Sequence, residues 1–205
     1  MFILFSLFIY TAGNFVWILG SSIIRWAAHA ALISEGGPDF NLFEIGTVRW
    51  IGRGGMRWCH FFQKITELHA SCTCVPQILI IHLGGNDLGR LSLYQLNLLI
   101  TSATNFVHQH WPTTRIALSA ILPRRSYVGA RGNKAMDGVR KAINRHRKKI
   151  MTGCNGIFIP HPSFHFRNSE LFLDDGVHLS VKGNQLLLAD IAAALQQFLN
   201  QGALE

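Results

Sequence analysis

The chain has 205 residues, 49% of them hydrophobic and 15% charged, with a formal charge of +8. That balance excludes a disordered tail or linker, because so apolar a chain gains more by collapsing than it loses in conformational freedom. The length suits one domain with a core of its own, and the positive excess points to anionic partners: nucleic acid, a membrane surface or an acidic substrate.

Met1 to Tyr10 is a dense apolar run, too short to span a bilayer. Thr11-Ala12-Gly13 would suit a signal-peptide cleavage site, but the basic residues that open such peptides are missing. This favours an intracellular protein over a secreted one, and sets residues 1–13 apart from a single domain over residues 14–205. From there, short apolar runs alternate with amphipathic ones. Phe15 to Leu19 reads as a buried strand ended by Gly20, with a helix through Ile24 to Ala28. Residues 43–51 hold a second strand, and Met56 to Ala70 has helical spacing. Gln77 to Leu83 is continuously apolar, as a strand covered on both faces should be. Leu91 to His110 is a long helix, Thr114 to Leu122 a strand stopped by Pro123, and Asn133 to Met151 a basic helix. Gly156 to Pro160 and a helix over Val181 to Asn200 complete the series. Strand–helix alternation of this kind predicts a parallel sheet with helices on both faces.

The basic run Arg140 to Lys149 reads first as the solvated face of its helix, with a phosphate-backbone contact as the alternative. No aromatic residue interleaves with its charges, so a base-stacking platform is not indicated. The four cysteines are too few, and wrongly spaced, for a disulfide framework, a zinc ribbon or a redox pair. Free, partly buried thiols are expected. The histidines, among them His161 and His165, lack acidic or thiol partners at ligand spacing, so neither metal nor organic cofactor is implied.

In open parallel sheets ligands bind beyond the carboxyl ends of the strands. Four polar clusters fall there: Gly20-Ser21-Ser22, Gly52-Arg53-Gly54-Gly55, Gly84-Gly85-Asn86-Asp87, and Asp174-Asp175-Gly176-Val177-His178. A serine at a strand-to-helix turn can serve as a nucleophile, since its side chain leaves the sheet edge where the helix N-terminus favours negative charge. Ser21 and Ser22 both qualify, and a plain helix cap is the competing reading. Asp175, three positions before His178 on a glycine turn, can orient the imidazole as a base, although Asp and Gly also simply make turns. Asn86 offers an amide to a developing oxyanion, and the glycines let backbone N–H groups approach closely. The aromatic stretch Pro160 to Leu173 either lines an acyl pocket or packs the core, with packing the better reading.

Taken together the blocks resemble those of the SGNH (GDSL-type) hydrolases. Gly20-Ser21-Ser22 is similar to the block that carries the nucleophile, Gly52-Arg53-Gly54-Gly55 to the second, Gly85-Asn86-Asp87 to the third, and Asp175-Gly176-Val177-His178 to the Asp-x-x-His block. Lys141-Ala142-Ile143-Asn144 resembles the helix before the last strand of that family, and the basic helix resembles esterase domains of some vertebrate retroelements. The resemblance spans about Phe15 to Leu199. It implies a three-layer α/β/α flavodoxin-like fold with a mostly parallel five-stranded sheet, and a serine esterase or acylhydrolase acting on a small-molecule, lipid or other acyl ester. It further implies Ser22 as nucleophile, Asp175 and His178 as its partners, and the Ser22 and Gly55 backbone N–H groups with the Asn86 amide as oxyanion donors. Ser21 stands where the family usually has Asp, and is expected to cap the helix in its place. The alternative is an SGNH-like binding module with impaired catalysis, associated with nucleic acid through residues 140–149.

Overall fold

The apolar runs become five short strands: β1 (Val16–Gly20), β2 (Val48–Gly52), β3 (Ile78–His82), β4 (Arg115–Ser119) and β5 (Ile157–Ile159). They form one sheet in the order β2-β1-β3-β4-β5, every pairing parallel. The computed structural model describes residues 16–42, 46–72, 74–127 and 132–202, so the apolar segment 1–13 lies outside the described residues. The helices are α1 (Ser22–Leu32), α2 (Phe61–Ser71), α3 (Leu93–His110), α4 (Asn133–Gly153) and α5 (Val181–Gly202). No helix of the described residues is long and apolar enough to cross a membrane.

The period-two alternation of strand side chains divides the core into two layers. Trp17, Leu19, Leu79, Ile81, Ile116 and Leu118 face α2, α3 and α4, while Val16, Ile18, Ile78, Ile80 and Ala117 face α1 and α5. A sheet clothed on both sides needs apolar residues at every strand position, which is why β1 and β3 are buried throughout. The three-layer α/β/α architecture expected from the sequence is thus present, and the sheet is wholly rather than mostly parallel.

Several boundaries shift for identifiable reasons. The helix expected from Met56 starts at Phe61, because the buried Asp87 carboxylate accepts from the Trp58 backbone N–H at 3.4 Å and folds Trp58–His60 into a 3-10 turn. Ser92 caps α3, accepting from the Gln95 N–H while the Gln95 side chain accepts from the Ser92 N–H, so that helix begins at Leu93 rather than Leu91. β4 ends at Ser119, short of Leu122, since side chains of α4 take over the next backbone groups. Asn144 Oδ1 accepts from Ile121 N at 2.9 Å, and Ile121 O accepts from Arg140 and Asn144.

The largest departure concerns the basic helix. Its charges do not form one solvated face. Arg147 is completely buried, donating to the carbonyls of Ser119 (2.6 Å) and Leu83 and lying over the Trp58 ring. Arg140 turns inward to Asp137 (2.7 Å) and Ile121 O, which leaves Arg145, Lys148 and Lys149 exposed without close ion pairs among the described residues. Burial pulls the Arg147 guanidinium down to about 9, so it stays charged at neutral pH. The Pro160 to Leu173 stretch packs: Phe164, Leu171 and Phe172 belong to the core against α1 and α5. The four cysteines are free, Cys59 being exposed rather than partly buried.

Candidate active site

Parallel register brings the polar clusters to one level. Gly20 of β1 is aligned with Gly52 of β2 on one side and His82 of β3 on the other, so the loops that follow leave the sheet side by side. Ser21 occupies the N-cap position of α1 and Ser22 is the first helical residue. Ser21 is buried and its side chain makes no capping hydrogen bond, contrary to the cap expected of it. The backbone alone carries the turn: Arg25 N donates to Ser21 O and Arg53 N to Gly20 O.

Across the rim, residues 172–179 form a closed loop before α5. Phe172 pairs with Leu179, Leu173 N donates to His178 O at 2.8 Å, and Gly176 N donates to Leu173 O. Gly176 sits at φ +67°, a left-handed conformation that a side chain would strain, and a Cβ there would lie 2.7 Å from Arg125 Cβ. The turn aims the carboxylate of Asp175 back at its own backbone. Oδ1 accepts from the N–H groups of Val177 (2.8 Å) and His178 (2.9 Å), and Oδ2 lies 2.5 Å from His178 Nδ1. The other imidazole nitrogen, Nε2, is 2.9 Å from Ser22 Oγ, although 156 residues separate the two in sequence. What burial Asp175 has raises its pKa, but the hydrogen bonds from His178 and Val177 outweigh that and hold it at about 2. The carboxylate is therefore ionised throughout the range in which a histidine base would work.

The other expected residues stand beside this pair. Gly55, at φ +68°, and Asn86 both line a cleft of about 500 Å³, whose lining does not include Ser22, Asp175 or His178. Asn86 Nδ2 donates to Met56 O at 3.1 Å, tying the third loop to the second, and Oδ1 accepts from Arg124 Nη2 at 2.9 Å. A guanidinium can only donate, so Arg124 selects which end of the amide is the oxygen and turns the NH₂ the other way. One amide hydrogen is thereby left for an oxyanion. If Asn86 serves the oxyanion role that the resemblance implies, replacing it by alanine should lower kcat for an ester by roughly 10²–10³-fold, the usual weight of one such donor.

No protein-family model matches this sequence, and no curated protein matches it. Solved structures do. A GDSL-like lipase from Bacteroides thetaiotaomicron superposes with a TM-score of 0.67 at 17% identity, over 92% of this chain and 89% of the lipase. A carbohydrate esterase family 3 protein from Talaromyces cellulolyticus gives 0.67 at 16% identity, over 92% and 99%. A psychrotrophic esterase from Pseudoalteromonas sp. gives 0.65 at 17% identity, over 91% and 99%. The fold is that of the SGNH hydrolases.

Within this SGNH fold lies a second serine–histidine–aspartate series that sequence reasoning missed. Asp190 of α5 holds His161 Nδ1 at 2.7 Å, His161 Nε2 is 2.7 Å from Ser119 Oγ, and Ser119 Oγ is 2.7 Å from His82 Nδ1. With His161 neutral, its Nδ1–H donates to Asp190, its Nε2 accepts from the Ser119 hydroxyl, and Ser119 Oγ accepts from His82 Nδ1–H. Ser119 is wholly buried, so its hydroxyl serves this chain and not a substrate. No acidic residue stands at metal-ligand spacing from His161 in the sequence; its hydrogen-bond partner Asp190 lies 29 residues on, in another element. Among the described residues no three metal-ligating side chains cluster as a cation site would require.

His82 gives the domain an acid limit. Burial, then the fields of His161, Arg147 and Arg124, lower its pKa well below the ordinary value. The folded state therefore keeps His82 neutral where the unfolded chain would take up a proton. Stability is unaffected above the unfolded pKa of about 6.5 and is lost as pH falls below it, by up to about 1.4 kcal/mol per pH unit until the folded pKa is reached. Urea midpoints measured at about pH 7.5 and about pH 5.5 should differ accordingly, and a His82→Asn protein should lose this component.

Proposed function

We propose that this protein is a serine esterase that cleaves a carboxylic ester through an acyl-enzyme on Ser22. The observation that carries the reading is the run of contacts from Ser22 Oγ to His178 Nε2 (2.9 Å) and from His178 Nδ1 to Asp175 Oδ2 (2.5 Å). His178 accepts the hydroxyl proton as Oγ attacks the ester carbonyl. Asp175, ionised and anchored by two backbone N–H groups, holds the tautomer with the proton on Nδ1 and stabilises the imidazolium that forms. The carbonyl oxygen, now negative, is received by the N–H groups of Ser22 and Gly55 and by the Asn86 amide. His178 returns its proton to the departing alcohol. Water then attacks the acyl carbon with His178 again as base, releasing the acid and restoring Ser22. No step requires a metal or organic cofactor.

The esterases and lipases among the structural neighbours support hydrolysis of this kind on this fold. Serine in place of aspartate at position 21 removes a carboxylate beside the nucleophile but none of the groups used above. The test is covalent: a neutral alkyl fluorophosphonate should label Ser22, identified by peptide mass, and 4-nitrophenyl acetate should be turned over. A protein that neither labels nor turns over is an SGNH-fold module without this chemistry.

A further inference from the structure

The 500 Å³ cleft beside the candidate oxyanion donors carries more than Gly55 and Asn86. Three arginines also line it: Arg57 after β2, Arg90 after β3 and Arg124 after β4. Separate loops thus bring three guanidinium groups to one concavity, and among the described residues no carboxylate lines it. The nearest acidic side chain of the third loop, Asp87, is buried beneath, engaged with the Trp58 N–H. Neither Arg57 nor Arg90 forms a salt bridge among the described residues. Elsewhere basic residues close to carboxylates pair with them, as Arg140 and Lys141 do with Asp137 and Lys182 with Glu170. Here no carboxylate among the described residues touches Arg57 or Arg90, and the fields of Asp87 on Arg57 and of Asp175 and Asp87 on Arg124 act from outside the lining.

The geometry points to an anion-binding subsite: we infer that the ester hydrolysed carries a carboxylate or phosphate, which Arg57 and Arg90 receive while the scissile carbonyl meets Asn86. The inference rests on the serine-esterase reading for its catalytic half alone. Guanidinium groups suit such a partner because their forked N–H donors match two oxygens of a carboxylate or phosphate at once. Arg124 has a separate duty. It is already bonded to Asn86 Oδ1, so it spans the subsite and the oxyanion amide and couples the two. Leu88 and Tyr127 add apolar atoms to the lining of the same cleft.

Two matched pairs of substrates test this and separate the side of the ester on which the anion sits. Mono(4-nitrophenyl) adipate against 4-nitrophenyl hexanoate places the charge on the acyl side; 3-acetoxybenzoate against 3-acetoxybenzamide places it on the alcohol side. In one pair the charged member should have the higher kcat/KM by about tenfold or more, ~1.4 kcal/mol of differential transition-state binding. The ratio should shrink as salt is added. In Arg57→Gln/Arg90→Gln, and to a lesser degree in Arg90→Gln alone, it should fall toward one. A wild-type ratio of one or below in both pairs, with Ser22 still labelled by the fluorophosphonate, overturns the subsite and spares the esterase. Inorganic phosphate titrated calorimetrically into Ser22→Ala protein judges the subsite without catalysis. Binding that is lost on adding the two glutamine substitutions supports it even where no ester is turned over, and absence of binding overturns it.

Discussion

Turnover of 4-nitrophenyl acetate should fall by roughly 10⁴-fold or more in Ser22→Ala, and by a comparable factor in His178→Ala, with the double variant hardly worse than either. Non-additivity is the informative part. Nucleophile and base act as one unit in which proton and electron pair move together, so removing either removes the same step. The 2.9 Å contact between Ser22 Oγ and His178 Nε2 is the basis for expecting it. A rate unchanged in Ser22→Ala would end the acyl-enzyme reading. Full loss in Ser22→Ala with full activity in His178→Ala would mean that another group takes the proton. Asp175 ionises at about 2, so its titration should not shape the rate profile near neutral pH.

The second large effect is on stability. Arg147→Ala should destabilise the fold by about 3–5 kcal/mol, read from urea unfolding. Two carbonyls, Ser119 O and Leu83 O, lose their donor at the bottom of the candidate site, each at a cost of about 1–3 kcal/mol. A cavity is left under Trp58 as well. Arg147→Met refills much of that volume and removes a buried charge, so it should cost clearly less than alanine while still stranding both carbonyls. Methionine and alanine variants of equal stability would show that packing contributes nothing at this position. Gly84 is fitted to the same group: at φ +103° it lies so close that a Cβ would stand 2.7 Å from Arg147 Nη2.

The residues that were legible in the sequence are those whose geometry is local or set by a strand end. Asp175 and His178 lie within one turn, so spacing alone could suggest their contact. Ser22 and Asn86 follow apolar runs that could only be buried strands. The misread residues depended on side-chain direction. Ile143, Arg147 and Met151 recur every four positions and form the inner stripe of α4, yet the charge of Arg147 argued for solvent against the phase that argued for the core. Ser21 occupies a capping position, but its rotamer, invisible in sequence, leaves the cap unmade. The buried series joins β3, β4, the loop after β5 and α5 across 37, 42 and 29 residues, and no periodicity links such partners. Arg124 likewise needed the third dimension to meet Asn86.

The two histidine–aspartate pairs have nearly the same imidazole–carboxylate spacing, 2.5 and 2.7 Å, in opposite settings. The His178 side chain is 30% exposed and that of His161 only 2%. The molecule thus contains its own control for proton spectroscopy. Both ring N–H signals should move downfield under the pull of a carboxylate, but only that of His161 should survive in water against fast exchange. Once cooling slows exchange enough to recover the His178 signal, acylation or phosphonylation at Ser22 should shift it and leave the His161 resonance in place as an internal standard.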